Sequence, residues 1–290
     1  LRSGSKAHGQ GHETTFAQIV ADELGIHPDD VDVRQGDSAD APGVGSFASR
    51  SLTIGGSAAK LAARELHDRV LQVAALLLEV AVVDVEWADG RARVRGAPAR
   101  AADLAELAAF VQRSGDRLPL DLQGGLVADV TFSLPGPVFP SGAYAAEVEI
   151  DPETGVVDVQ RIVAVDDAGR VVNPLLADGQ VQGAVVQGLG ESLMEEVVHD
   201  EAGQPLTASF VEYAVPSAME VPPIDIQAIE TPSPFNPLGA KGIGEGGAIG
   251  TPVAIANAVC RALAPLGIRH LDLPFTPERV FVAIRDARER

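Results

Sequence analysis

Two lobes in which helices accompany β-strands, an α+β chain, is the fold class this sequence predicts, and three observations point to it. Its 290 residues exceed what one domain of ~100–200 residues uses. In some stretches apolar residues recur at helical spacing, as Phe16, Ile19, Val20 and Leu24 do. In others they alternate, most clearly on both sides of Asp151-Pro-Glu-Thr-Gly155, where proline and glycine mark a turn. The expected lobes are residues 1–125 and 126–290, and Pro119–Pro140, rich in glycine and proline, forms the crossing between them.

Composition limits what such a chain can do. The apolar fraction is 46% but aromatics are only 4%, so the core must be built from Ala, Val, Leu and Ile. With 22 basic and 41 acidic residues the net charge is −19, which repels phosphate backbones and anionic membrane surfaces and argues against a nucleic-acid partner. One cysteine, Cys260, cannot form a disulfide within the chain or hold an iron–sulfur cluster. The six histidines show no ligand spacing. Val70–Val83, the most apolar run, is broken by Gln72 and Glu79 and is too short to span a bilayer, so no membrane insertion is expected. The chain opens on Leu1 with no hydrophobic leader, which fits a cytoplasmic protein and a piece of a longer or processed polypeptide.

The first lobe begins with Gly9-Gln-Gly-His-Glu13, a glycine turn running into a helix over Thr14–Leu24, with Thr14 or Thr15 as its cap and Gly25 just past its end. Gln10 then stands at a helix entrance, where its amide suits a ring amide or a metal oxo group as well as it suits capping the turn. After the acidic turn Pro28–Asp40, the stretch Gly43–Ser57 delivers Ser49, Arg50, Ser51, Gly55, Gly56 and Ser57 ahead of an alanine-rich helix from about Ala58 to Glu79. Leu61, Leu66, Val70, Val73 and Leu77 are its expected buried face. Small residues and hydroxyls at a helix start make an anion cradle, and Arg50 brings the charge a phosphate needs. The plainer reading is a capped helix with a surface arginine. Val82–Arg95 alternates around Asp89-Gly90 and predicts a hairpin, and Ala101–Arg113 predicts a helix.

In the second lobe, two strands flank Asp151–Gly155. Gly179-Gln-Val-Gln-Gly183 enters a helix that continues toward Glu196, repeating the Gly-Gln entrance of the first lobe with Gln180 in place of Gln10. Further strands are expected at Thr207–Val215 and Ile224–Ile229. Asn236-Pro-Leu-Gly-Ala-Lys-Gly-Ile-Gly-Glu-Gly-Gly-Ala-Ile-Gly250 then sets one carboxylate, Glu245, among glycines, just before a helix opened by Thr251-Pro252. Such glycine density means positive φ or a close approach to the backbone.

Gly9–Leu24, Gly179–Gly190 and Gly239–Gly247 together closely resemble the C-terminal part of the molybdenum-binding large subunit of the xanthine dehydrogenase/aldehyde oxidase family, in its carbon monoxide dehydrogenase-like branch. The resemblance runs in order over nearly the whole chain. It implies an α+β fold with mixed sheets around molybdopterin, in bacterial members its cytosine dinucleotide form. On the matching positions Gln10, with Gly11, and Gln180 would bond the pterin–dinucleotide, and the Ser49-Arg50-Ser51 to Gly55-Gly56-Ser57 loop would meet its phosphates and dithiolene side. Glu245 would be the active-site base at a molybdenum-bound hydroxide, effective if burial raises its carboxyl toward the working pH. The metal would be held by the pterin's sulfurs, so no protein ligand is expected. Electrons would leave through an iron–sulfur small subunit and an FAD medium subunit.

Large subunits of that family are much longer, and the earlier half, with its substrate loop, lies outside the match. Turnover is therefore expected of the complete enzyme, with that half as a partner. The alternative is a non-catalytic paralogue or assembly subunit of the same fold, which the intact Gln10, Gln180 and Glu245 argue against.

Overall fold

The computed structural model describes residues 1–43 and 45–289; Val44, in the glycine-serine stretch, and Arg290, at the end of the tail, lie outside them. The chain divides into two compact units, Leu1–Val138 with Ser233–Ala240, and Phe139–Pro232 with Lys241–Arg290. The break thus falls at Val138 and not at residue 125, and a short segment from the second half packs with the first.

In the first unit, β1 (Arg2–Ser3) pairs in parallel with β2 (Arg34–Gln35), and between them runs α1 (His12–Leu24). The helix starts two residues before Thr14 because Gly11 takes a left-handed conformation, φ 76°, at its N-cap. Thr15 is no cap: its hydroxyl donates back to the Gly11 carbonyl at 3.0 Å. α2 (Ser57–Leu78) likewise begins early, since a π-helical turn over Leu52–Gly56 leads into it. Its contact with α1 is made by alanines, Ala59 and Ala63 against Val20 and Leu24, more than by the leucine stripe expected from spacing. Leu61 and Leu66 stay half-exposed; small side chains let two helices approach closely, and Glu23 of α1 bridges to Lys60 and Arg64 of α2.

β3 (Val85–Ala88) and β4 (Arg91–Val94) form the expected hairpin about Asp89-Gly90, and β5 (Ala97–Asp103) adds a third antiparallel strand. That strand occupies the start of the expected helix over Ala101–Arg113; α3 runs instead from Leu104 to Ser114. Asp103 fixes the boundary with a capping box, accepting from the Glu106 amide at 2.9 Å while the Glu106 carboxylate accepts from the Asp103 amide at 2.9 Å. Val70, Val73 and Ala74 of α2 pack with Val85, Ala92, Ala102 and Leu107 into one core.

In the second unit, β6 (Ser141–Ile150) pairs antiparallel with β7 (Val157–Asp167) across the expected turn, and β8 (Ile224–Ile229) pairs in parallel with β7. The sheet is therefore mixed, and α4 (Pro174–Leu193) lies in the crossover that the parallel pair requires. α5 (Gly246–Leu263) and α6 (Pro277–Arg288) complete the unit. Ile162 and Ala164 of β7, Val181, Val185 and Leu189 of α4, Ile255 and Val259 of α5, and Val280 and Ile284 of α6 share a core with Phe275, so the tail does pack back.

Three expectations are corrected here. Thr207–Val215 forms no strand: Phe210 and Val211 are 83% and 90% exposed, and local bonds from the Glu212 and Tyr213 amides to the Ser209 carbonyl fold the segment into turns. α4 begins five residues before Gly179, because Asn173 accepts from the Leu176 amide at 3.0 Å and Pro174 presets the first helical φ. α5 begins at Gly246, leaving Pro252 inside it. Over the segment Gly246–Leu266 the helix and its following turn are apolar and long enough, by composition, to cross a membrane, which the sequence reading passed over; here Ile255, Val259 and Leu263 are buried in the core just described.

Candidate functional site

The candidate residues of the first unit sit at the starts of its two long helices. Gln10 precedes the α1 N-cap and is half-buried; its side-chain oxygen accepts from the His8 amide, so within this chain it caps the turn. His12, just inside the helix, is buried, stacks on Phe16 with ring centroids 4.9 Å apart and meets Gln35 Oε1 through Nδ1 at 3.1 Å. Burial holds its pKa below the ordinary imidazole value. The Gln35 amide nitrogen is buried with no hydrogen-bond partner among the described residues.

At the second helix start, Ala48 and Ser49 both take positive φ, 53° and 51°, an unusual backbone for residues with a Cβ. The Ser49 hydroxyl is buried and also unpartnered. Arg50 lays its guanidinium 3.7 Å over the Phe47 ring and makes no ion pair among the described residues. From Ser51 onward the chain is helical, which corrects the expected loop. A Cβ on Gly55 would lie 3.2 Å from Phe16, and one on Gly56 3.0 Å from Leu238 and Leu52. Ser57 is fully buried and donates to the Thr53 carbonyl at 2.7 Å, so its hydroxyl is used inside the helix. Gly55, Gly56 and Ser57 are thus used in packing and bonding inside the first unit.

In the second unit, Gln180 is not at a helix entrance but in the second turn of α4. It is half-buried, and around Gly179 and Gly183, beside it, a Cβ would meet nothing within 4 Å. Glycine inside a helix costs about 0.5–1 kcal/mol relative to alanine, and no neighbour among the described residues requires it at either position.

Glu245 is the N-cap residue of α5, with φ −110° and ψ −9°, exposed, and its side chain makes no capping bond. The surrounding glycines answer to close packing. Among Gly246, Gly247 and Gly250 none has positive φ. A Cβ on Gly247 would lie 2.6 Å from the Val185 amide of α4, and one on Gly188 of α4 would lie 2.8 Å from Thr251. The two helices therefore run side by side in the same direction, which sets Glu245 level with the turn of α4 that carries Gln180 and Gly183.

Below that turn lies a pair that the sequence reading missed. Tyr144 of β6 donates its hydroxyl to both carboxylate oxygens of Asp166 on β7, at 2.8 and 2.7 Å. Burial raises the Asp166 carboxyl, and burial together with this bond raises the Tyr144 phenol. A signal existed in the strand: Ile162, Ala164 and Asp166 are in phase, the first two fully buried, so alternation puts an acid on the apolar face. The next residue, Asp167, is also buried, and the Lys241 ammonium at 2.8 Å with the amides of Gly169 and Thr231 outweighs its desolvation and holds it well below the usual carboxylate range.

Residues 1–222 match the molybdopterin cofactor-binding domain. Over 286 residues the chain is 39% identical to the nicotine 6-hydroxylase large subunit of Paenarthrobacter nicotinovorans, covering 98% of this chain and 35% of the relative. It is 39% identical over 281 residues to the carbon monoxide dehydrogenase large chain of Afipia carboxidovorans, covering 97% of this chain and 34% of that one. Among solved structures it superposes on CO dehydrogenase from Oligotropha carboxidovorans with a TM-score of 0.88 at 38% identity, covering 99% of this chain and 36% of that one. On quinoline 2-oxidoreductase from Pseudomonas putida 86 the TM-score is 0.86 at 39% identity, with coverage of 97% and 36%. The chain spans about a third of the length of these relatives. With the family matched over most of its residues, and with the α+β fold of molybdenum-enzyme large chains, this chain belongs to the molybdopterin cofactor-binding domain family.

Proposed function

We propose that this chain is the part of a molybdenum hydroxylase large subunit that carries the catalytic base and much of the cofactor face. The observation that carries the reading is the open face of α4: Gly179 and Gly183 leave room that none of the described residues fills, Gln180 stands beside them, and Glu245 is level with that turn. Such a face suits a ligand that approaches the backbone closely. The first unit has its own groups open to a ligand: two buried polar atoms, Ser49 Oγ and Gln35 Nε2, have no partner among the described residues, and Arg50 is free of ion pairs there.

In this reading Gln10, Gly11 and Gln180 bond the pterin–dinucleotide. The stretch from Ser49, Arg50 and Ser51 to Gly55, Gly56 and Ser57 meets its phosphates and dithiolene side. The cofactor in this reading is the cytosine dinucleotide form. When bound, the molybdenum cofactor supplies the two-electron oxidation that puts a water-derived oxygen on a small substrate. Glu245, exposed at the start of α5, takes up the departing proton on a carboxylate oxygen. The earlier half of the large subunit, an iron–sulfur small subunit and an FAD medium subunit complete the enzyme, in the cytoplasm.

Glu245→Gln in the complete enzyme should abolish turnover while molybdenum and released cytidine nucleotide stay near wild-type. Turnover retained with full cofactor would remove Glu245 from the role of base.

A further inference from the structure

The base in the reading above is the first residue of a helix, and a base works only where its oxygen is held. Its own side chain makes no capping bond among the described residues, so its position is inherited from the backbone of the first turn of α5. That turn is pressed on two sides. Toward α4, Gly247 lies against Ala184 and Val185, as described. Toward the sheet, its glycines lie against Tyr144 and Asp166: a Cβ on Gly246 would lie 3.2 Å from Asp166 Oδ1 and 3.3 Å from the Tyr144 hydroxyl, and one on Gly250 would overlap the Tyr144 ring.

The pair is itself fixed. In the β6–β7 register Gly142 is opposite Asp166 and Tyr144 is opposite Ala164, so Tyr144 and Asp166 are diagonal neighbours on one face. Gly142 must lack a side chain, because a Cβ there would lie 2.5 Å from Asp166 Oδ1. The Tyr144 hydroxyl, bonded to both carboxylate oxygens, then allows neither side chain to turn away. Asp166 is only 5% exposed, so water does not compete for that bond.

We propose that Tyr144 and Asp166 are positioning residues for Glu245: their hydrogen-bonded pair is the seat on which the first turn of α5 rests, and it sets where the Glu245 carboxylate stands. The role belongs to the shape and the bond of the pair, and it rests on Glu245 being the base. An acceptor of the same shape should therefore do nearly as well as the carboxylate. Asp166→Asn keeps an oxygen for the Tyr144 hydroxyl; Asp166→Ala and Tyr144→Phe lose the bond.

The experiment uses the complete enzyme and reads turnover, molybdenum content and hydrogen exchange of the amides at 245–250. Tyr144→Phe and Asp166→Ala should keep molybdenum near wild-type, lower kcat about 10–100-fold with KM changed less than threefold, and speed exchange at 245–250 about tenfold while the amides of β7 stay protected. Asp166→Asn should keep at least a third of wild-type kcat and wild-type exchange. Wild-type exchange at 245–250 in Tyr144→Phe, or loss of kcat in Asp166→Asn equal to that in Asp166→Ala, overturns the proposal. Comparing Tyr144→Phe with Glu245→Gln, each made singly, separates the two readings. If Glu245→Gln alone retains turnover, the assignment of the base fails, whatever the exchange shows. If it abolishes turnover and Tyr144→Phe leaves kcat and exchange unchanged, the base stands and the seat fails.

Discussion

The Lys241 ammonium lies 2.8 Å from Asp167 Oδ2, and the two side chains are only 13% and 12% exposed. The pair ties the strand that ends at Asp167 to the segment leading to Glu245, and the Lys241 amide adds a bond to the Ala168 carbonyl at 2.7 Å. Removing the cation leaves a buried carboxylate with two backbone amides. Lys241→Met should therefore destabilise the second unit by an amount toward the low end of the ~3–5 kcal/mol seen when one partner of a buried pair is lost. A lowered midpoint in denaturant unfolding checks it.

The same carboxylate gives stability a pH dependence of definite sign. Asp167 is depressed in the folded state, so its contribution is complete above the unfolded carboxyl value of about 3.9 and is lost as pH falls through the lower folded value. Unfolding midpoints measured from pH 6 downward should fall below about pH 4, and Asp167→Asn should flatten that decline.

Glycine-to-alanine changes in α4 and α5 should move in opposite directions. At Gly250 the added Cβ would overlap the Tyr144 ring, so the gain in helix propensity is outweighed and a loss of about 1–3 kcal/mol is expected. At Gly179 nothing is within 4 Å, and alanine should stabilise the cofactor-free protein by about 0.5–1 kcal/mol. In the complete enzyme Gly179→Ala should instead reduce molybdenum content, if the cofactor reaches that face. Full metal content in this variant would mean that it does not.

Arg50 should not be replaceable by lysine. Its guanidinium carbon lies 3.7 Å from the centroid of the Phe47 ring, and a compact, strongly hydrated ammonium does not reproduce that contact. Both Arg50→Ala and Arg50→Lys are expected to lower the bound nucleotide released from the complete enzyme, with unfolding midpoints near wild-type.

The capping box at α3 offers a purely local check. Asp103→Ala removes the acceptor for the Glu106 amide and should cost about 0.5–2 kcal/mol in the first unit, read as a shift in its unfolding midpoint.

Local pattern made much of this chain legible in advance. The helix ending at Gly25, the hairpin about Asp89-Gly90, the turn at Asp151–Gly155 and the strand Ile224–Ile229 each follow from spacing and turn chemistry that act within a few residues. The family was legible too, because three motifs recur in order. Helix starts were less so. Asn173 with Pro174 outranks Gly179 as a signal, and glycines in αR continue α5 back to Gly246, so Gln180 moved from a helix entrance into a helix while Glu245 kept its place at one.

By itself, the sequence determined the α+β class, the composition of the core and which loops carry polar residues beside glycine. Only the tertiary structure decided why the glycines are there. Gly246, Gly247 and Gly250 are needed for contacts with Val185, Asp166 and Tyr144, which are ~60–110 residues distant along the chain, and close packing of this kind has no local pattern to read. The Tyr144–Asp166 pair was hidden for the same reason: an acid on a strand reads as solvated until the opposite strand supplies its hydroxyl and a helix covers both.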